Sequence, residues 1–206
     1  MEKTLNFSEP FLNAEYASSI ENYPIQDKTI IVNIDSLPVE IEGFLLQPMK
    51  STLFSNSIIK KANSLILITV TDEDFLGLKT TIDEEIIKYS WHHVLDFYNL
   101  PHLKKTPLWC SEKETIGKLE LKLWYAPKGT HCGLHHDHPF REIHTQLFGV
   151  GSMQKFHENN PKTLYQEVLM SPGYTHDPFY SESGTYPWHQ YYAETDCIWL
   201  GIEMHE

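Results

Sequence analysis

The chain has 206 residues, 41% of them hydrophobic and 21% charged, with a formal net charge of −12. That length suits one domain with an elaboration, and the apolar content is enough for a real core and argues against disorder. The acidity argues against a nucleic-acid partner, because a phosphate backbone requires a basic surface.

Residues 1–27 are polar and contain Pro10 and Pro24, so they are expected to form an irregular arm. Lys28–Ile34 and Ser64–Val70 are β-branched runs that predict strands. From Thr81 to about Tyr98, Ile82, Ile86, Trp91, Val94 and Leu95 recur at helical spacing behind a Thr81/Glu84 capping box, which predicts an amphipathic helix. His92 and His93 are adjacent rather than four apart, so they do not form a helical metal pair.

After residue 110 the pattern changes to strands. Lys118–Tyr125 alternates, with Leu119, Leu121 and Leu123 on one face. Further strands are expected at His135–His138, Glu142–Phe148, Ser152–Phe156, Thr163–Met170, His189–Ala193 and Cys197–Glu203, separated by turns at residues 126–129, 149–151, 159–161 and 172–173. Short strands with no helix between them predict an antiparallel sandwich or jelly-roll barrel over residues 111–206, with residues 1–110 as an N-terminal extension. No apolar run is long enough to span a bilayer, the start lacks an apolar signal core, and Cys110, Cys132 and Cys197 are not in CxxC spacing. A cytoplasmic location without membrane association is the expectation. Cys132 is read as a small buried side chain, with a pocket-lining thiol as the alternative.

Nine of the twelve histidines lie between His131 and His205, and residues 129–149 read GTHCGLHHDHPFREIHTQLFG. Imidazoles with a carboxylate form a ligand set for a divalent transition metal. On a strand, His136 and His138 project to the same side, and Glu142 can return to that point after the Pro139 bend. His135 and Arg141, the only arginine, would then point away. By the same alternation His144, Gln146 and Phe148 share the Glu142 face. His144 and Gln146 are candidate catalytic or substrate-contacting residues, with hydrogen-bonded core roles as the alternative. Tyr191, in step with His189, is a third such candidate, with core packing as its alternative.

The spacing Gly129-x6-His136-x-His138-x3-Glu142-x6-Gly149 resembles the first signature of the cupin superfamily, with one extra residue after the first glycine. The resemblance covers roughly residues 117–204. It implies a double-stranded β-helix barrel whose interior metal is held by His136, His138, Glu142 and a histidine from a later strand. His189 is favoured for that last ligand because a strong strand pattern follows it; His176, after Pro172 and Gly173, is the alternative. The metal implied is iron(II) first, with zinc, manganese, nickel or cobalt also compatible. No dinucleotide or phosphate loop is present. The function implied is a metalloenzyme acting on a small polar molecule, an iron(II)-dependent oxygenase or oxidase first. The alternatives are a metal-assisted lyase, isomerase or bond-forming enzyme, or a non-catalytic ligand-binding barrel. A homodimer is the expected assembly.

Overall fold

The computed structural model describes residues 2–8, 12–70, 90–94, 106–183 and 185–205. The described chain is almost entirely antiparallel β-structure. The first sheet contains β1 (Glu2–Leu5), β2 (Leu12–Ile25), β3 (Thr29–Asn33), β4 (Val39–Ile41), β5 (Phe44–Leu46), β6 (Lys50–Phe54) and β7 (Ser57–Val70). Its main path runs β1-β2-β7-β3-β6, with the β4-β5 hairpin attached to β7.

The strands expected at 28–34 and 64–70 are present, but the irregular arm is not. Residues 12–25 form a 14-residue strand instead. It buries Ala14 on one face and Ala17 on the other, and both carry little apolar signal. Pro24 is tolerated because β1 pairs only as far as Ala17, so at Pro24 the strand has β7 alone as a neighbour and no donor is needed on the other side.

The second sheet runs β12-β16-β11-β9-β8, from Arg141–Phe148, Cys197–Met204, Leu119–Ala126, Trp109–Cys110 and His92–His93; β10 (Glu114–Ile116) joins β11. The third has the order β14-β13-β15, from Leu164–Met170, Gly151–Phe156 and Trp188–Ala193. The helix expected over 81–98 falls mostly outside the described residues. Within them, His92–His93 is a strand paired to Trp109–Cys110, so cross-strand pairing prevails there over helical periodicity.

Single bridges complete the barrel: His131 and His135 pair with β15, and Thr175 pairs with β12. From β11 onward the chain therefore passes between two facing sheets in the order of a jelly roll. One sheet reads 175-β12-β16-β11 and the other β14-β13-β15-(131–135). This is the double-stranded β-helix topology.

Alternation assigns the faces of the barrel. Leu121, Leu123, Tyr125, Ile143, Leu147, Ile198, Leu200 and Ile202 face outward and form one cluster with Leu5, Leu12, Ile30, Val32, Ile66 and Ile68 of the first sheet. Residues 2–70 thus pack as an outer layer on the barrel. All five residues of β3 are buried, because its other face joins a third cluster with Val39, Ile41 and Leu46. Trp124, Trp199, Met153, Tyr191 and Ala193 face inward. Phe148 does not follow Glu142 and His144 inward as expected. A bulge between Gln146 and Phe148 shifts the register, and Phe148 packs on the outer cluster.

Candidate metal centre

The interior site is assembled from three stretches of chain. His135 is anchored by exchanging both main-chain hydrogen bonds with His189, at 3.0 and 2.8 Å. Residues 136–138 are irregular and a bend follows at residues 139–140; over this stretch the chain leaves His138 beside His135. The His138 Nε2 atom lies 2.9 Å from His135 Nε2 and 3.1 Å from His189 Nε2.

The outer nitrogens settle two of the tautomers. His135 Nδ1–H donates to the Gly133 carbonyl and His189 Nδ1–H to the Pro187 carbonyl, both at 2.8 Å. Each therefore turns an Nε2 lone pair toward the common point. Such outer-side anchoring is the usual support of a metal-ligating histidine. A proton on His138 Nε2 could serve only one of its two neighbours. A cation serves all three, and cis ligands about 2.1 Å from one ion are separated by about 3 Å. Burial, offset in part by Glu142, holds His138 down to about 4; burial and then His135 hold His189 down to about 3. Both are neutral near pH 7, as ligation requires.

Glu142 lies beside this cluster. Its Oε2 is 3.9 Å from His138 Nδ1, and its Oε1 accepts from His144 Nε2 at 3.0 Å. Burial alone would raise its carboxyl, but His144, by charge and hydrogen bond, and then His138 and His135 hold it down to about 2. The chain approaches Glu142 closely here: a Cβ at Gly201 would lie 3.3 Å from Oε1.

The structure brings together His138, His189 and Glu142 of the residues the sequence singled out, and does not bring His136 to them. His136 packs its ring 4.1 Å from Trp188 and pairs its Nδ1 with Asp137 at 2.9 Å. The strand expected at 135–138 is only a single bridge at His135. Without strand alternation, residues three apart share the interior, and His135 takes the position expected for His136.

His176 is buried but committed elsewhere. Its Nε2 accepts the His144 main-chain N–H at 2.9 Å and its Nδ1–H donates to the Asp177 carbonyl at 2.6 Å. Metal content should therefore separate the two candidates: His189→Ala should lose the ion, whereas His176→Ala should retain it and lower the melting temperature.

His144 faces the interior as expected, between Glu142 and the Met153 sulfur, 3.3 Å from its Nδ1. The polar groups of Gln146 and Tyr191 serve the core. Tyr191 donates to Gln146 Oε1 at 2.7 Å, and Gln146 Nε2 donates to the Phe148 carbonyl, also at 2.7 Å. Tyr191 stacks on Trp199 at 3.9 Å and covers Gly151, where a Cβ would lie 2.0 Å from its hydroxyl. These positions leave neither group directed at the histidines as a substrate contact. Cys132 is buried in the same inner cluster, and burial pushes its thiol up.

A cavity of about 460 Å³ opens beside His138, lined by His136, Asp137, Pro139, Thr185 and Tyr186 as well. A jelly-roll topology and an interior histidine cluster occur together. The barrel resembles solved structures at low identity. A cupin 2 conserved barrel domain protein from Leptotrichia buccalis is 11% identical over 100% of this chain and 88% of its own, with a TM-score of 0.36. Salicylate 1,2-dioxygenase from Pseudoaminobacter salicylatoxidans, solved as adducts with gentisate, is 10% identical over 95% and 68%, with a TM-score of 0.39. Ectoine synthase from P. lautus is 10% identical over 55% and 75%, with a TM-score of 0.37. No protein-family model matches this sequence, and neither does any curated protein. Among the described residues no helix is long and apolar enough to cross a membrane.

Proposed function

We propose that this barrel is a cupin and a metalloenzyme acting on a small polar molecule, with a divalent transition metal held by His135, His138 and His189 and with Glu142 beside them. The supporting observation is the convergence of three imidazole Nε2 atoms at 2.9 and 3.1 Å, two of them fixed as lone-pair donors by backbone carbonyls. Imidazole donors suit iron, zinc, nickel and copper, and iron(II) is favoured here, in an oxygenase or oxidase. Iron at this point would supply dioxygen activation beside a bound substrate.

The chain's own residues do the rest. The cavity beside His138 seats the substrate, and the inner cluster of Trp199, Tyr191 and Met153 keeps bulk water from the far side. His144 holds a proton at Nε2 against the Glu142 carboxylate, 3.0 Å away, and that pair is the acid–base candidate nearest the metal. The small molecule enters from the Asp137–Thr185 side.

A second reading rests on the place of Glu142 outside the three-histidine group, with its Oε2 facing His138 Nδ1 at 3.9 Å. Three histidines without a carboxylate ligand are also a catalytic zinc set with an open fourth position, which suits lyase or isomerase chemistry. The test is elemental analysis of protein purified without a chelating tag, followed by anaerobic reconstitution with iron(II) and measurement of oxygen uptake over a panel of small polar molecules. One iron per chain with substrate-dependent oxygen uptake is expected. Stoichiometric zinc with oxygen-independent turnover would move the assignment to the second reading, and failure to hold any metal after reconstitution would sink both.

A further inference from the structure

Two of the three clustered imidazoles are oriented by a carbonyl at Nδ1, and His138 has no such partner among the described residues. Its Nδ1 faces Glu142 only at 3.9 Å. The ring instead packs on Tyr186, whose centroid lies 4.5 Å from that of His138 with 38° between the planes, and more distantly on Phe140, at 5.6 Å and 59°. The same phenol ring stacks on His189 at 5.2 Å and 24°. Its hydroxyl accepts the Glu142 main-chain N–H at 2.6 Å, at the start of β12, and lies 3.5 Å from the Phe140 carbonyl.

Tyr186 is itself held from outside. Tyr180 packs on it at 5.6 Å. The Arg141 guanidinium lies 5.2 Å over Tyr180 and donates to the Glu182 carbonyl at 3.3 Å. The single arginine of the chain thus ties down the loop that carries Tyr186.

We propose that Tyr186 is a positioning residue that sets the His138 and His189 rings for metal binding, acting through its aromatic face rather than its hydroxyl. The proposal rests on the metal-centre reading above. Aromatic stacking limits rotation of an imidazole about its χ2, a torsion with a broad minimum. Loss of the ring leaves His138 free to turn its Nε2 away, whereas loss of the hydroxyl alone does not.

The test compares wild type with Tyr186→Phe and Tyr186→Leu, with Tyr186→Met carried alongside in case the leucine variant does not fold. In metal-free protein, NMR of the His138 and His189 ring protons reads the stacking directly. The ring-current shift should persist in the phenylalanine variant, and the aliphatic variants should lose the part due to the Tyr186 ring, leaving that of Phe140 and Phe179. With cobalt(II) as the probe, the aliphatic variants should show an altered visible spectrum and lose the ion to a chelator about tenfold faster or more, the range typical of lost outer-sphere support. The phenylalanine variant should keep the wild-type spectrum. An aliphatic variant with wild-type ring shifts, or with a wild-type cobalt spectrum and release rate, would overturn the proposal. If wild type takes up no cobalt, the metal reading fails on its own, and the ring shifts still decide whether Tyr186 orients the imidazoles.

Discussion

Replacing His138 by alanine should abolish stoichiometric metal binding, and replacing His136 should leave it intact. His138 Nε2 is the atom common to both short contacts in the cluster, so its loss removes a ligand and breaks the convergence. Loss of outer-sphere support costs about 10- to 100-fold in metal affinity, and loss of a ligand should cost more than about 100-fold. His135→Ala should behave like His138→Ala. His136, occupied by Asp137 and Trp188 at the cavity rim, should change affinity little. Competition with a chromophoric chelator, read against elemental analysis, separates the cases. Loss of metal in the His136 variant with retention in the His135 variant would restore strand alternation as the rule for this segment and overturn the ligand set.

The largest effect on stability is expected at Lys122. Its ammonium donates to Glu203 Oε1 at 2.8 Å, and the two side chains are 6% and 5% exposed. Leu121 and Leu123 belong to the outer cluster, so Lys122 faces the barrel interior, as does Glu203 one position beyond Ile202. Glu203 is also the cross-strand partner of Glu142; Lys122 pairs with Glu203, and His144 with Glu142. Burial pushes the Glu203 carboxyl up, and Lys122 opposes that. Lys122→Met would leave the buried Glu203 carboxylate facing only His205 Nε2, 3.6 Å away, and removing one partner of a buried pair costs about 3–5 kcal/mol. The double variant Lys122→Met with Glu203→Leu should recover much of that loss, because a buried ion pair replaced by apolar groups is often neutral in stability. Urea unfolding measures both, and a single variant within about 1 kcal/mol of wild type would show that water reaches the pair.

Much of the barrel was legible. Alternation in residues 119–126 and 197–204 marks two strands that pair along their whole length, because one face of each is buried against the outer layer. The outer layer itself was less legible. Strand β2 buries small alanines and contains Pro24, and β4 to β6 are short, so neither period nor composition rises above background. Tyr186 and Arg141 could not be read as partners. The loop between Met170 and Trp188 has no repeating pattern, and their link passes through Tyr180 and the Glu182 carbonyl, which no spacing encodes.

What the sequence alone determined is the run of histidines and a glutamate framed by Gly129 and Gly149, set within a train of alternating strands that must close to bury their apolar faces. Only the tertiary structure decided which histidines meet. His135 and His136 are adjacent and chemically identical, and they differ only in the direction the backbone takes before Pro139. That direction follows from the two main-chain hydrogen bonds between His135 and His189, a contact between residues far apart in the chain.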